Sequence, residues 1–546
     1  MDRRALIAVV ISIVILVLYQ EVVLRRLYPP RPPEEQTAEA PLQPTGQPTT
    51  PADQPLPELA AHAPAAQPAV SERLVEVDTD LYHATFTSRG ARLTSFQLKQ
   101  YRTAVQPDSP FQEIIVAGQG GELPFGVELR GPEQGLSDAG APYAIDGANL
   151  TLTGAQEGSI DFAWQGDGVA LRKHFAFRGD RYDFSATMSV LNHPPTYTSL
   201  EVSWAKTVTL GPLQAGSEVA FDRAVYLQGH KLTEDQFDKL TGGKVLTEEQ
   251  GELAWIGYAG RHFFGAMVPV DAPNHRLWLK LRDHTVEQKV LSPLPAGGGD
   301  LKLDIYIGPK DFDTLETMGH NLSRVVNLGW FGFIAVPLLH GIKISHRFTG
   351  NYGLDIILLT VAIKILFLPL TQRSFQSMRE MQKLQPQMAK IRERYKDNQE
   401  QMNKEMMELY RRHKVNPLGG CLPMVLQIPV FIGLYSALGN AVELRHAPFL
   451  LWINDLSAPD RLGTLQLPFV QHAGIPVLTL LMGVSMFVQQ WMTPAAGDPA
   501  QQRVMMIMPL MFTFMFVNFP SGLALYWLVN NLLTIAQQSY MNRSKT

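Results

Sequence analysis

The chain has 546 residues, of which 45% are apolar and 18% charged, with a formal net charge of −4. One cysteine, Cys421, excludes an intramolecular disulfide and any Cys-rich metal site; at the start of an apolar run it reads as a small buried hydrophobe. The length suggests two or more domains, and the ordinary average hides two unlike halves, because residues 347–546 hold 16 of the 20 methionines.

In chain order, Arg3 and Arg4 precede the apolar run Ala5–Leu24, which is long enough to span a bilayer. A cleavable signal peptide is the competing reading. Its apolar region is usually shorter and ends at a small-residue cleavage site, whereas this run leads into Tyr19, Gln20, Glu21 and then Arg25 and Arg26. Residues 1–28 are therefore expected to be an uncleaved anchor. Residues 29–69 follow as a linker: 12 prolines lie between Pro29 and Pro68, too few apolar groups to offset the entropy of ordering.

Residues 70–313 read as all-β. LYHATFTSRGARLTSFQLKQY and LRKHFAFRGDRYDFSATMSVLNH each alternate apolar and polar residues about a Gly-containing turn. Many short strands with Gly and Pro turns favour a β-sandwich. His83, His174 and His262 are scattered singly, and no nucleophile elbow, phosphate loop or H-E-x-x-H motif occurs. A scaffold or interaction domain is expected rather than an enzyme, with no cofactor and no metal. Residues 314–350, with Trp330, Phe331, Phe333, Pro337 and then Lys343, His346 and Arg347, suit an amphipathic helix lying in a membrane interface.

Residues 351–546 contain five expected spans, at about 353–371, 419–440, 475–493, 504–519 and 522–540. Pro520 and Gly522 make a tight turn between the last two. The segment 372–416 carries 11 Lys/Arg against 6 Asp/Glu, while 441–474 carries only Arg445 and Arg461. Basic loops stay in the cytoplasm. With six spans, both termini are expected there and the β-domain on the opposite side. Within the basic segment, Met381, Leu384, Met388, Ile391 and Tyr395, then Met402, Met406 and Leu409, recur at helical spacing about Asp397-Asn398. That pattern predicts an antiparallel helical hairpin. It serves either as a solvated connector or as a docking platform for an anionic partner.

Lys364 lies inside the span LDIILLTVAIKILFLPL, where a central lysine costs roughly 2.5–3.5 kcal/mol. Thr360 and Thr371 share its face. In the last span Tyr526, with its neighbour Trp527, Asn530, Thr534 and Gln537 form a second polar stripe, and Gln427 lies in another span. Polar groups in spans face a bundle interior or a wet cavity, or join helices by hydrogen bonds. Asp355 is nine residues before Lys364 and near the outer end, so no carboxylate is expected at the depth of the lysine. A hydrated groove would satisfy the cation and both stripes. MMIMPLMFTFMFVNF, with Met505, Met508, Phe512, Met515 and Phe516, would offer varied apolar segments an adaptable surface.

LFLPLT (366–371), LQPQMAKIRERY (384–395), KVNPLGGCLPMVLQIPVFIGLY (414–435), ELRHAPFLLWINDLS (443–457) and FPSGLALYWLVNN (519–531) together resemble the YidC-type membrane protein insertases, bacterial relatives of the Oxa and Alb proteins. The resemblance covers nearly the whole chain. It implies a multi-pass α-helical protein of the inner membrane: an N-terminal anchor, a periplasmic β-supersandwich, a five-helix core and a cytoplasmic hairpin. It also implies insertion and folding of nascent membrane proteins, alone or with the Sec translocon, with ribosome contacts through cytoplasmic loops. No small-molecule substrate is implied. A single cation in a groove closed to the periplasm would attract acidic or polar substrate segments. Many members carry Arg there, and Lys364 keeps the charge without the planar fork. The alternative is a secondary transporter with Lys364 in a substrate or proton pathway, but such folds show repeated halves. A third reading is a membrane-tethered structural or carbohydrate-binding module.

Overall fold

In a computed structural model of the chain, the described residues are 72–116, 123–207, 221–237, 253–270, 275–282, 285–413, 415, 422–465, 473–492 and 499–543. The expected anchor at 1–28 and the linker at 29–69 lie outside them.

Period-two alternation builds three sheets from the β-region. The first runs β4 (Phe111–Val116), β3 (Arg92–Arg102), β2 (Tyr82–Thr87), β1 (Leu74–Asp78) and β8 (Leu150–Thr151). The second has nine strands: β14 (Lys231–Gln236), β13 (Arg223–Gln228), β15 (Leu253–Ala259), β16 (Phe263–Val270), β19 (Gly299–Pro309), β11 (Asp183–Asn192), β10 (Val169–Arg178), β9 (Glu157–Gly166) and β7 (Ala144–Asp146). The third runs β17 (Arg276–Arg282), β18 (Thr285–Pro293), β12 (Ser199–Thr207), β5 (Gly126–Arg130) and β6 (Gly135–Ser137). On β10, Val169, Leu171, Phe175 and Phe177 point inward. Phe175 meets Phe86 with ring centroids 4.9 Å apart, and Phe177 meets Phe184 at 5.1 Å. Such pairs each add about 0.5–1.5 kcal/mol beyond their burial.

The inward row of β10 also holds a lysine. Lys173 is 1% exposed, and its ammonium lies 2.6 Å from Asp138 Oδ2 while donating to the carbonyls of Gly90 and Phe125, each at 2.6 Å. Asp138 also accepts from Arg92 at 3.1 Å, the Tyr143 hydroxyl at 2.9 Å and the Val127 N–H at 2.9 Å. Burial, opposed by the attraction of Asp138, lowers the Lys173 pKa to about 8. The network joins β10, β5 and the segments around Gly90 and Asp138 at one point.

After β19 the described chain is helical. The helices are α1 (Phe312–Met318), α2 (Gly332–Thr349), α3 (Tyr352–Arg394), α4 (Gln399–Arg412), α5 (Leu422–Asn440), α6 (Val477–Met492), α7 (Pro499–Phe516) and α8 (Ser521–Arg543). By length and composition, α3 is long and apolar enough to cross a membrane, and α6 and residues 505–516 of α7 are shorter apolar helices. An end near residue 371 is expected from sequence, but α3 continues through Pro369 and Pro386 as one helix of 43 residues. Proline removes one backbone donor and kinks a helix without necessarily ending it. The continuation is held by a small cluster of Met381, Leu384, Met388 and Leu409 with Ile391, Met406 and Tyr410. Tyr410 lies in this cluster where the spacing pointed to Tyr395, which instead ends α3 as its C-cap.

The sheets and helices meet at a polar joint. Lys343 on α2 lies 2.5 Å from Asp311, 2.7 Å from Asp313 and 2.7 Å from Glu443. Arg445 donates to the Arg102 carbonyl at 2.7 Å and to Gln112 Oε1 at 3.0 Å, with its guanidinium over the Phe263 ring. Arg261 donates to the carbonyls of Gly439 at 2.9 Å and Ser457 at 3.1 Å. Asp311 caps α1 through the Thr314 N–H at 2.8 Å. Burial pushes its carboxyl upward, but bonds from Lys343 and Thr314 together outweigh that and hold its pKa down at about 2. A depressed carboxyl stabilises the fold above its unfolded value of 3.8, and loses that contribution as pH falls toward 2. The contribution is about 2 kcal/mol. Lys343→Met should lower the melting temperature at neutral pH, with a loss of about 3 kcal/mol as three carboxylates lose their common cation. It should also flatten the stability curve between about pH 4 and 2. Thermal unfolding of the detergent-solubilised chain across pH checks both; an unchanged acid limb would remove Lys343 from the account.

Candidate functional site

Helix α3 is capped by Asn351, whose side-chain oxygen accepts the Leu354 N–H at 3.1 Å. Three turns on, Lys364 projects from an otherwise apolar stretch. Its ammonium donates to Thr534 Oγ1 on α8 at 2.6 Å, and Thr534 donates in turn to the Asn530 carbonyl at 2.7 Å. Seven residues further along α3, Thr371 Oγ1 accepts from Gln537 Nε2 at 3.0 Å. The two helices therefore share a polar seam with Lys364, Thr534, Thr371, Gln537 and the partly exposed Asn530.

Among the described residues, Lys364 has no ion-pair partner. Asp355, the acidic residue nearest to Lys364 along its own helix, is fully buried and already engaged, by His346 Nδ1 at 2.8 Å and the Thr349 hydroxyl at 2.7 Å. The His346 ring stacks on Tyr352 with centroids 3.6 Å apart. Gln537 Oε1 is buried without a hydrogen-bond partner in the structure. The seam thus holds one cation satisfied by a neutral hydroxyl and one acceptor left open. An approaching chain could complete both, a carboxylate or carbonyl oxygen accepting from the ammonium and an amide N–H donating to the Gln537 oxygen.

Other expected groove residues are placed differently. Thr360 is 1% exposed and donates to the Ile356 carbonyl of its own helix, so it satisfies itself. Tyr526 is also 1% exposed, and its hydroxyl takes a long 3.5 Å bond from Nε2 of the partly buried Gln427 rather than from the Lys364 seam. Trp527 packs on Phe431, Phe512 and Phe516 with centroids at 4.9, 5.9 and 5.3 Å. It belongs to an aromatic wedge rather than a polar surface. The same wedge removes Phe516, fully buried, and the partly buried Phe512 from any open apolar slide. Met505 and Met508 are partly buried, and Met515 is exposed. The open apolar face of α7 is formed instead by Met506, Ile507, Leu510, Met511, Phe514 and Met515. This rotation follows from Gly483 of α6, where an added Cβ would run into Thr513, so α7 turns that side inward.

A second polar contact uses Asn531 and Gln538, which the sequence sets beside the stripe without indicating their partners. Asn531 Nδ2 donates to Ser485 Oγ at 2.9 Å, and Gln538 Nε2 to the Met492 carbonyl at 2.9 Å, joining α8 to α6. Ser485 is one of two hydroxyls in an apolar helix, and spacing alone does not mark it. The Tyr526, Asn530, Thr534 and Gln537 stripe was legible; its neighbours at 531 and 538 serve the opposite helix.

Toward residue 521 the bundle is covered by the loop between α5 and α6. Ser521 N–H donates to the Ala458 carbonyl at 2.8 Å, its hydroxyl to the Asp455 carbonyl at 2.8 Å, and Gly522 N–H to the Leu456 carbonyl at 3.0 Å. Asp460 caps α6 through the Leu478 N–H at 2.7 Å and the Thr479 hydroxyl at 3.0 Å. Arg461 reaches the Val517 carbonyl and Asn518 Oδ1, each at 3.0 Å. The start of α8 is thus tied to this loop by backbone and side-chain bonds.

A family profile described as the 60Kd inner membrane protein matches residues 344–546, and one described as the YidC periplasmic domain matches residues 74–340. A relative from Syntrophobacter fumaroxidans, named membrane protein insertase YidC, is 40% identical over 556 aligned residues covering 100% of both chains. One of the same name from Geobacter sulfurreducens is 41% identical over 474 residues, 86% of each chain. Among solved structures, the chain is similar to an active YidC insertase with its first transmembrane domain resolved. The TM-score is 0.37 at 18% identity, over 86% of this chain and 93% of that one.

Proposed function

Because this chain belongs to the YidC family of membrane protein insertases, we propose that it passes hydrophobic segments of nascent proteins into the inner membrane along the α3–α8 seam. The observation that carries this reading is Lys364: an ammonium on an apolar helix, bonded to Thr534, with no carboxylate partner among the described residues. A passing acidic or polar segment supplies the missing countercharge. Thr371, Asn530 and Gln537 offer hydrogen bonds to its backbone, and the exposed face of α7 receives the apolar part.

No covalent chemistry is needed. The seam shortens the path over which polar groups cross hydrocarbon, and burial of the apolar segment in lipid supplies the driving force. The basic stretch 372–416 supports a cytoplasmic α3–α4 end, within reach of the ribosome, and sheets on the periplasmic side. Cooperation with the Sec translocon belongs to the same reading, as does the multi-pass arrangement of α3, α5, α6, α7 and α8.

Photo-crosslinking tests it. A stalled nascent membrane protein should crosslink to probes at Thr371 and Met515, and not to a probe at Leu191, an exposed apolar residue on the β-domain. Capture at Leu191 alone would move the site to the β-domain and end the seam proposal.

A further inference from the structure

The loop between α5 and α6 contains PFLLWI, residues 448–453. Phe449 N–H donates to the Ile453 carbonyl at 2.9 Å, and Ile453 N–H donates back to the Leu450 carbonyl at 3.1 Å. These two bonds close a tight turn with Leu450 and Leu451 at its tip. Leu451 has φ 56°, the left-handed region that turns normally fill with Gly, Asn or Asp. Its side chain is 86% exposed and that of Leu450 57%. Projecting into water, the turn would be unfavourable twice over, once for the Leu451 backbone and once for the apolar surface of both leucines.

The flanks of the turn are held by protein. Ile453 and Leu456 are buried, and Phe449 packs against Gly353 of α3 so closely that a Cβ there would collide with its ring. Asn351, the residue that caps α3, donates through Nδ2 to the Phe449 carbonyl at 3.3 Å. The tip therefore projects at the end of the long apolar helix. Phe348, 86% exposed, lies three residues before the same Asn351. The turn and Phe348 share one helix end, and that end is where a spanning helix leaves the hydrocarbon.

We propose that Leu450 and Leu451 insert into the outer leaflet of the membrane, at the boundary between head groups and acyl chains, and anchor the loop to lipid. The occupant is lipid rather than a second protein because the tip is continuous with the apolar end of α3 and carries no charged side chain. The same loop bonds Ser521 and Gly522 at the start of α8. The leucine pair thus holds the loop over the start of α8 at a fixed depth. This inference rests on the reading that α3 crosses the membrane.

The full chain carrying Cys421→Ala and Leu451→Cys, labelled with a polarity-sensitive fluorophore, would be reconstituted into phosphatidylcholine–phosphatidylglycerol vesicles. Emission should shift to the blue, and a nitroxide near the head-group end of the acyl chain should quench it several-fold more than aqueous iodide does. A second labelled chain, Leu366→Cys, reports the depth of α3 itself. If the Leu366 label is in lipid while iodide quenches the Leu451 label freely, the anchor is wrong and the spanning reading stands. If iodide quenches both, both fail. A Leu451 label shielded from both quenchers would mean a protein contact, and would also overturn the proposal.

Discussion

Lys364→Ala is expected to reduce insertion about tenfold for substrates whose translocated part carries acidic residues, and Lys364→Glu to reduce it further. The magnitude follows from charge in a partly dehydrated site. Unit charges about 4 Å apart interact by about 4 kcal/mol at an intermediate effective dielectric. Loss of hydration by both partners offsets much of this, and a remainder of about 1.4 kcal/mol corresponds to a factor of ten. Lys364→Arg preserves the charge and should retain most insertion. Thr534→Val removes the hydroxyl that accepts from the ammonium at 2.6 Å, but leaves the cation for substrate, so its effect should be smaller. Protease protection of a translocated segment, measured for an acidic and a neutral substrate side by side, reads the result. Equal loss for both substrates, or none for either, would remove the charge role from Lys364.

Asp138→Ala is expected to be the most damaging single change in the β-domain. Asp138 is 1% exposed and receives Lys173 at 2.6 Å, Arg92 at 3.1 Å, the Tyr143 hydroxyl and the Val127 N–H. Truncation leaves two buried cations without their shared anion, which costs about 3–5 kcal/mol. For a domain of this size the melting temperature should fall by roughly 6–20 °C. Lys173→Met should cost less, because it removes a buried charge together with its dehydration penalty. The Lys173 pKa of about 8 also gives a sign. Between about pH 8 and 10 the unfolded chain holds a proton that the folded one has released, so the contribution of Lys173 to stability rises with pH there. In Lys173→Met that rise should disappear. Calorimetry on the intact chain measures both effects; an Asp138→Ala melting temperature within a degree or two of the parent would refute the network's importance.

Much of this architecture was legible because alternation and turn chemistry are local. The strand pairs either side of the Ser88–Ala91 and Gly179–Tyr182 turns, and the break at Pro520, follow from residues a few positions apart. What local pattern could not supply was rotation and partnership. Met505, Met508, Phe512, Met515 and Phe516 look alike as an apolar set; the close approach at Gly483 and the packing on Trp527 set which of them turn inward. Trp527 falls beside a polar stripe, yet three aromatic rings from α5 and α7 claim it. Thr360 shares a helical face with Lys364, but its hydroxyl has a carbonyl acceptor one turn back. Lys173 occupies an inward strand position whose countercharge lies 35 residues earlier in the chain, beyond any periodicity. Lys364 itself was readable, because a cation in an apolar run is conspicuous from composition alone.

The unbroken path of α3 has a mechanical consequence. Lys364 and Arg394 belong to one helix, separated by about 45 Å at 1.5 Å per residue. A force applied by a docking partner at the far tip therefore acts on the cation through a lever arm, with Pro369 and Pro386 as its compliant points. Pro369 is five residues from Lys364. The stiffness of the helix at those two prolines therefore sets how much of a load at the tip would reach the seam and how much would be spent in bending before it.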